Sequence, residues 1–342
     1  MKYLLPLLLL ITACNHSKDQ TAHAQLPPTS VPGNRLEVEI PVEEKVELED
    51  LNLFYLTVYR RDSSANVNVF ITDRWPRHDT NLIIEEKYFT EDFGNRNYHH
   101  LSAAHSKIVL DSTRFTEEDT LTIFNVDRGV IRRYAVTDLK VIAQANPYDT
   151  HPPYSHWAFQ VGFEIPDIYP MDSLLFFESF VHIGPEQPFV EGEIKPMVWE
   201  EISKEDLTEL TKDQQIDLTW ANDTNLLPIY HHQNGKWHIF RNGTDFKPEN
   251  HYGADYEVWA IHEDSVGVIS TTYLYDGESQ SPAPISVKND GDPNGPYQWC
   301  GLLFKGQPPV VTNLVWESFG CPYIAVMKQE DNRVWIHCDN WH

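Results

Sequence analysis

Apolar and polar residues alternate in short runs along most of this chain, and many of the apolar positions carry β-branched or aromatic side chains. Leu53-Phe54-Tyr55-Leu56-Thr57-Val58-Tyr59, Val67-Asn68-Val69-Phe70-Ile71, Leu121-Thr122-Ile123-Phe124 and Val258-Trp259-Ala260-Ile261 are such runs. Side chains of this kind fit a pleated, half-buried surface, so each run predicts a strand. Turn-forming pairs punctuate the pattern at Asn234-Gly235, Asn242-Gly243 and Asp276-Gly277. Near the C-terminal end, Tyr323 to Lys328 and Arg333 to His337 flank the polar Gln329-Glu330-Asp331-Asn332, which predicts a hairpin. One helical pattern stands out. Ser203-Lys204-Glu205-Asp206 opens like a capping box, and Ile202, Leu207 and Leu210 give an apolar edge to a segment reaching Gln214. The expected fold class is mostly β, a β-rich α+β chain of antiparallel sheets with few helices.

The chain also echoes itself. Trp75 before Asp79-Thr80-Asn81-Leu82 recurs as Trp220 before Asp223-Thr224-Asn225-Leu226, and Tyr98-His99-His100 recurs as Tyr230-His231-His232. The stretch from Asp119 to Gly129-Val130-Ile131 recurs from Asp255 to Gly267-Val268-Ile269. Pro153-Tyr154 before Trp157 matches Pro296-Tyr297 before Trp299, and Phe177-Glu178-Ser179-Phe180 matches Trp316-Glu317-Ser318-Phe319. No single match is informative, but their shared order predicts two tandem, duplicated β domains. The first would span 35–192 and the second 193–342, the latter opening with the short acidic helix.

At the other end, Lys2 precedes the apolar Leu4-Leu5-Pro6-Leu7-Leu8-Leu9-Leu10, a run too short to span a bilayer, and Ile11-Thr12-Ala13-Cys14 follows. This pattern resembles a bacterial lipoprotein signal peptide with Ile11-Thr12-Ala13-Cys14 as its lipobox. The resemblance covers only this leader. It implies that residues 1–13 are removed, that Cys14 is lipidated and, with Asn15 next, that the protein is anchored at the outer membrane facing the periplasm. Residues 14–34, with Leu26-Pro27-Pro28-Thr29-Ser30-Val31-Pro32-Gly33, hold too few apolar side chains to bury a core and read as a tether.

Charge narrows the choice of partners. Lys and Arg number 26 against 51 Asp and Glu, a net charge of −25. Such a surface repels nucleic acid and anionic lipid and attracts cationic partners. Of the 4 cysteines, Cys14 is assigned to lipid, leaving Cys300, Cys321 and Cys338. An exported chain permits disulfides, and the predicted hairpin brings Cys321 near Cys338, the favoured pair, although spacing alone leaves the connectivity open.

Signals for chemistry are sparse. Asp290-Gly291-Asp292-Pro293-Asn294-Gly295 matches the first positions of an oxygen-ligand calcium loop, with Asp290, Asp292 and Asn294 as ligands. Gly301, however, stands where such a loop has its bidentate glutamate, and an Asx-rich turn is the competing reading. His99, His100 and His105 correspond to His231, His232 and His238, but adjacent residues on a strand point to opposite faces and offer one ligand per face. There is no H-E-x-x-H, no G-x-S-x-G, no Walker loop and no G-x-G-x-x-G. Glu178 and Glu317 are the acidic residues that share a local context in both halves, and a structural role in each copy is the preferred reading. Of 10 tryptophans, Trp75 and Trp157 alone precede residue 193, so the contact surface is expected in the second half, with Trp299, Trp335 and Trp341 as candidates.

These readings converge on a non-enzymatic binding lipoprotein without a cofactor. Its two domains would clamp a cationic protein in the cleft between them, as an inhibitor or immunity protein does with a secreted toxin. Glycan or peptidoglycan binding is the alternative, and a carboxylate-based hydrolase ranks behind it.

Overall fold

The computed structural model describes residues 45–49, 51–61, 64–75, 98–145, 159–166, 179–222, 228–244, 255–275, 279–288, 297–318, 320–329 and 332–338. Cys14, Asp290, Asp292, Asn294, Glu178 and Trp341 lie outside them. The first half contributes β1 (Leu53–Tyr55), β2 (Thr57–Arg61), β3 (Ser64–Phe70), β4 (Tyr98–His100), helix α1 (Ala103–Thr113), β5 (Thr120–Asn125), β6 (Val130–Ala135), β7 (Lys140–Ala145), β8 (Phe159–Ile165) and β9 (Ser179–Gly184). The second contributes β10 (Ile194–Pro196), β11 (Glu200–Ile202), helix α2 (Lys204–Thr211), β12 (Ile229–Asn234), β13 (Trp237–Thr244), β14 (Asp255–His262), β15 (Ser270–Leu274) and β16 (Gln280–Pro282). It ends with β17 (Trp299–Gly301), β18 (Val310–Thr312), β19 (Val315–Glu317), β20 (Tyr323–Val326) and β21 (Arg333–Trp335). Every strand pair is antiparallel.

Four larger sheets form, in the strand orders β2-β3-β8-β7-β4 (sheet I), β1-β9-β5-β6 (sheet II), β10-β17-β18-β20-β21 (sheet III) and β11-β12-β13-β14-β15 (sheet IV), and β16 and β19 make a separate ribbon. Successive side chains of a strand point to opposite faces, so one sheet can serve two cores. Sheet II does this. Phe54, Leu121, Ile123, Val181 and Ile183 pack on Val67, Val69, Val141, Val161 and Phe163 of sheet I. From the reverse face, Leu53, Phe124 and Phe180 pack on Trp299, Val310, Ile324 and Val326 of sheet III. Sheet III in turn sets Cys300, Val311 and Ala325 against Ile239, Val258, Ala260 and Leu274 of sheet IV. The far face of sheet IV, with Phe240, Trp259 and Ile261, is covered by Leu207 of α2. The order of layers is I, II, III, IV and α2.

This order corrects the expectation of a cleft between the halves. Sheets I and II use strands from the first half and sheets III and IV strands from the second, yet the II–III junction is a continuous apolar core. Phe124, Phe189 and Phe304 stack through it with ring centroids 5.2 and 6.0 Å apart. Phe189 also bridges to Phe304, and Phe54 to His337, through the backbone. Full burial of each phenylalanine contributes about 1.5–3 kcal/mol, so separating the halves would forfeit the burial of all three at once. Residues Arg35–His342 accordingly form one compact unit.

The sequence echoes do not extend to strand order. Tyr98-His99-His100 is β4, a short edge strand of sheet I followed by α1, whereas Tyr230-His231-His232 lies inside β12, between β11 and β13. The β5–β6 hairpin is in a different sheet from β4, while β14 and β15 share a sheet with β12.

Locally, α2 closes the expected capping box: Ser203 Oγ accepts the Asp206 N–H at 3.0 Å, and the Asp206 carboxylate accepts the Ser203 N–H at 3.2 Å. Gly235, at φ 60°, begins the two-residue loop joining β12 to β13. Asn242-Gly243 is not a turn but part of β13, where Asn242 Oδ1 accepts the Trp259 indole N–H at 2.7 Å. The run from Leu53 to Tyr59 is not one strand either. It breaks at Leu56, so that β1 joins sheet II and β2 joins sheet I.

Candidate functional site

The exposed large aromatic side chains among the described residues all come from the last third of the chain: Tyr273, Tyr275, Trp316 and Trp335, each 51–55 % exposed. Contacts place two of them, Trp335 and Tyr275, beside Tyr323 and Gln280. Tyr323 lies directly opposite Trp335 in the β20–β21 register, and their rings meet edge to face at 5.5 Å. The Arg333 guanidinium sits over the Tyr323 ring, 4.5 Å from its centroid, an arrangement in which the ring quadrupole attracts the cation. The β16–β19 ribbon adds Trp316 and Glu317, and it is tied to Tyr275 through the Gln280 amide, which donates to the Tyr275 carbonyl.

Glu317 is the electrostatic centre of this rim. Burial raises its carboxyl above the ordinary value, and Arg333 opposes that shift. Its charge reaches Tyr55 of β1 in the first half and Tyr323 of β20 in the second. Burial, with Glu317 adding to it, raises the Tyr55 phenol above its ordinary value, so it remains a neutral hydrogen-bonding group. A carboxylate, a guanidinium and open indole faces, backed by the buried Tyr323, suit recognition of a cationic or hydroxyl-rich surface. They do not compose an activated nucleophile with its base.

The rim is braced covalently. Cys321 and Cys338 are disulfide-bonded with Cα atoms 5.4 Å apart, tying together the two ends of the β20–β21 hairpin that carries Tyr323, Arg333 and Trp335. Cys300 is a buried free thiol, pushed up to about 12 by burial, and the Asn234 amide donates to its sulfur at 3.3 Å. At that value it is inert as a nucleophile.

The structure separates the other candidates. Trp299, expected at the contact surface, is 1 % exposed and fills the II–III core, where a large apolar ring gains most from burial. Trp335 is on the surface. Gly301 has φ 147°, and a Cβ there would lie 2.2 Å from the Glu193 carbonyl oxygen, so this position cannot carry the glutamate that a calcium loop places twelfth.

His99 and His100 lie on β4 of sheet I and His105 on α1, whereas His231, His232 and His238 lie on β12 and β13 of sheet IV, and the two sets are not brought together. His100 Nε2 is 3.1 Å from Glu164 Oε2, and His105 Nδ1 is 2.7 Å from Ser102 Oγ. His231 Nε2 meets His238 Nδ1 at 3.1 Å, and His238 Nε2 meets Glu263 Oε1 at 3.3 Å. Burial first, then His238 and His232, lowers His231 to about 4. His232 points the other way, its Nδ1–H donating to the Val198 carbonyl. Among the described residues, no group of three His, Cys, Asp or Glu side chains is placed to hold a metal ion.

No protein-family model, no curated protein and no solved structure matches this chain. No helix among the described residues is long and apolar enough to cross a membrane. Sequence reasoning named Trp335 as a contact candidate but preferred a structural role for Glu317, and it did not single out Tyr275 or Tyr323. The aromatic alternation Tyr273-Leu274-Tyr275, with Leu274 buried and both tyrosines exposed, was the available signal.

Proposed function

We propose that this is a non-enzymatic binding lipoprotein of the bacterial cell envelope that holds a cationic protein, in its most concrete form an inhibitor that neutralises a secreted toxin. The observation carrying this reading is the aromatic rim around Glu317 in a chain of net charge −25. Acidic side chains would steer a basic partner into encounter, and Trp335 with its neighbours would slow its release. Contact through the rim replaces a clamp between the halves, because an apolar core occupies their junction.

The test is a pull-down from the native cell with the mature chain lacking Cys14, eluted across a salt series, alongside Trp335→Ala. One basic protein held to high salt by the parent chain and lost by the variant is the expected result. Retention of no protein at low salt would remove the reading. The open Trp335 face beside Arg333 and Glu317 also supports glycan binding, which would show as salt-insensitive retention on peptidoglycan.

A further inference from the structure

Strand β6 forms one edge of sheet II, and among the described residues no strand pairs with its outer side. It is six residues long, holds no proline, is exposed at four of its positions and half-exposed at the other two, and presents Val130 at 44 % exposure. Two other edges have contacts of their own. Asn332 donates its side-chain amide to the Thr271 carbonyl on the outer strand β15, at 3.0 Å, and β1 is bridged by His337. β6 instead carries adjacent arginines, Arg132 and Arg133, opposite Ile123 and Thr122 of β5, so neither faces an acidic residue across the strand pair.

Unpaired strand edges template the addition of another strand, and charged side chains decide which strands are accepted. Arg132 and Arg133 point to opposite faces of sheet II; both repel a second copy's β6 and any basic strand, whereas a strand that alternates apolar with acidic residues sets its acidic face beside one of them as a cross-strand pair. The net charge of −25 acts against an acidic partner at long range, but screening at physiological salt confines that repulsion to about 8 Å, leaving the local pair to dominate.

We propose that β6 is a docking edge for an extended acidic segment of a partner protein, added as a fifth strand of sheet II. This surface is separate from the aromatic rim and opposite to it in charge preference.

The test uses the full mature chain and two labelled peptides, one alternating valine with glutamate and one alternating valine with lysine. Saturable binding of the glutamate peptide only is expected, with new amide-exchange protection confined to residues 130–135. Arg132→Glu with Arg133→Glu should weaken it at least about tenfold, while Arg132→Lys with Arg133→Lys retains it. Equal binding of both peptides, no saturable binding, protection elsewhere, or an unchanged affinity in the charge-reversed variant would overturn the proposal. Trp335→Ala leaves this binding intact, so its failure is distinguishable from failure of the rim reading.

Discussion

His337 Nδ1 lies 2.5 Å from Asp73 Oδ2, joining the segment after the last strand to the turn after β3 in the first half. The same imidazole stacks on Phe54 at 5.1 Å, and its backbone N–H donates to the Leu53 carbonyl at 2.7 Å. One residue thus contributes a polar side-chain contact, a ring contact and a backbone bridge between the two halves. His337→Ala should destabilise the protein by about 1–3 kcal/mol, the cost of leaving a half-buried polar partner unmade. Asp73→Asn, which keeps a hydrogen-bond acceptor, should cost less. A single cooperative urea transition, shifted in midpoint but unbroken, is expected; separate transitions for the two halves would show that the junction core does not couple them.

Acid should weaken the fold through its buried histidines. Burial lowers His182 from its ordinary value to about 4, against the smaller raising effect of Asp119. Between that value and the ordinary 6.5 the unfolded chain binds a proton that the folded chain does not, so stability rises with pH. The contribution is fully present above pH 6.5 and is lost as pH falls towards 4, about 3 kcal/mol in all. Unfolding free energy measured from pH 7 to pH 4 should therefore fall, and His182→Gln should flatten that slope. An unchanged slope in the variant would assign the acid sensitivity elsewhere.

Gly162 allows sheet I to close. A Cβ on this residue would lie 2.1 Å from the Val69 carbonyl oxygen and 2.9 Å from the Phe70 Cα, both backbone atoms of the neighbouring strand β3. Neither can move without shifting the register of β3. Gly162→Ala should cost about 3 kcal/mol, the upper range for overpacking, read as a lower urea midpoint. A loss below about 0.5 kcal/mol, the range of ordinary surface substitutions, would mean that β3 and β8 approach less closely than described.

The cysteines behave as two classes. In a chain lacking Cys14, one thiol, Cys300, should react with a thiol reagent only after unfolding, since it is buried and pushed up to about 12. Replacing Cys321 and Cys338 together with serine should lower stability by about 2–4 kcal/mol. It should also weaken rim binding, because the hairpin bearing Trp335 loses its tie. Two thiols titrating in the folded, unreduced protein would contradict this assignment.

How much of this was legible in the sequence depends on the kind of information involved. Local signals sufficed for β5, β14, the β20–β21 hairpin and the capping box of α2, because each is written within a few consecutive residues. Helix α1 escaped because its segment buries only Val109 and Thr113, too few for a periodic stripe. The break at Leu56 escaped because both sheets accept the same alternating pattern, and no turn residue marks the crossing. The stacking of sheet II on sheet III was invisible for a related reason: Leu53 and Phe54 are both fully buried, and alternation does not say what covers each face. The rim was half visible. Trp335 could be named, but Tyr55, which feels the Glu317 carboxylate from 262 positions earlier in the chain, owes that placement to tertiary packing.

Trp299 and Trp335 provide the sharpest separation of fold from function. Trp299 is 1 % exposed within the II–III core, and its removal leaves a cavity that surrounding strands cannot fill; Trp299→Ala should cost about 3–5 kcal/mol. Trp335 is 55 % exposed, and its principal contact is the Tyr323 ring. Trp335→Ala should leave stability within about 1 kcal/mol of the parent, the scale of one aromatic pair. If Trp335 anchors the partner, the same change should reduce affinity by about 2–4 kcal/mol, as truncation of a central aromatic contact does. Thermal unfolding and titration with the captured partner measure the two effects on the same samples. A variant that binds normally would move the contact surface away from this rim, whereas one that unfolds would show that Trp335 is structural. The rim reading requires loss of affinity with the fold intact.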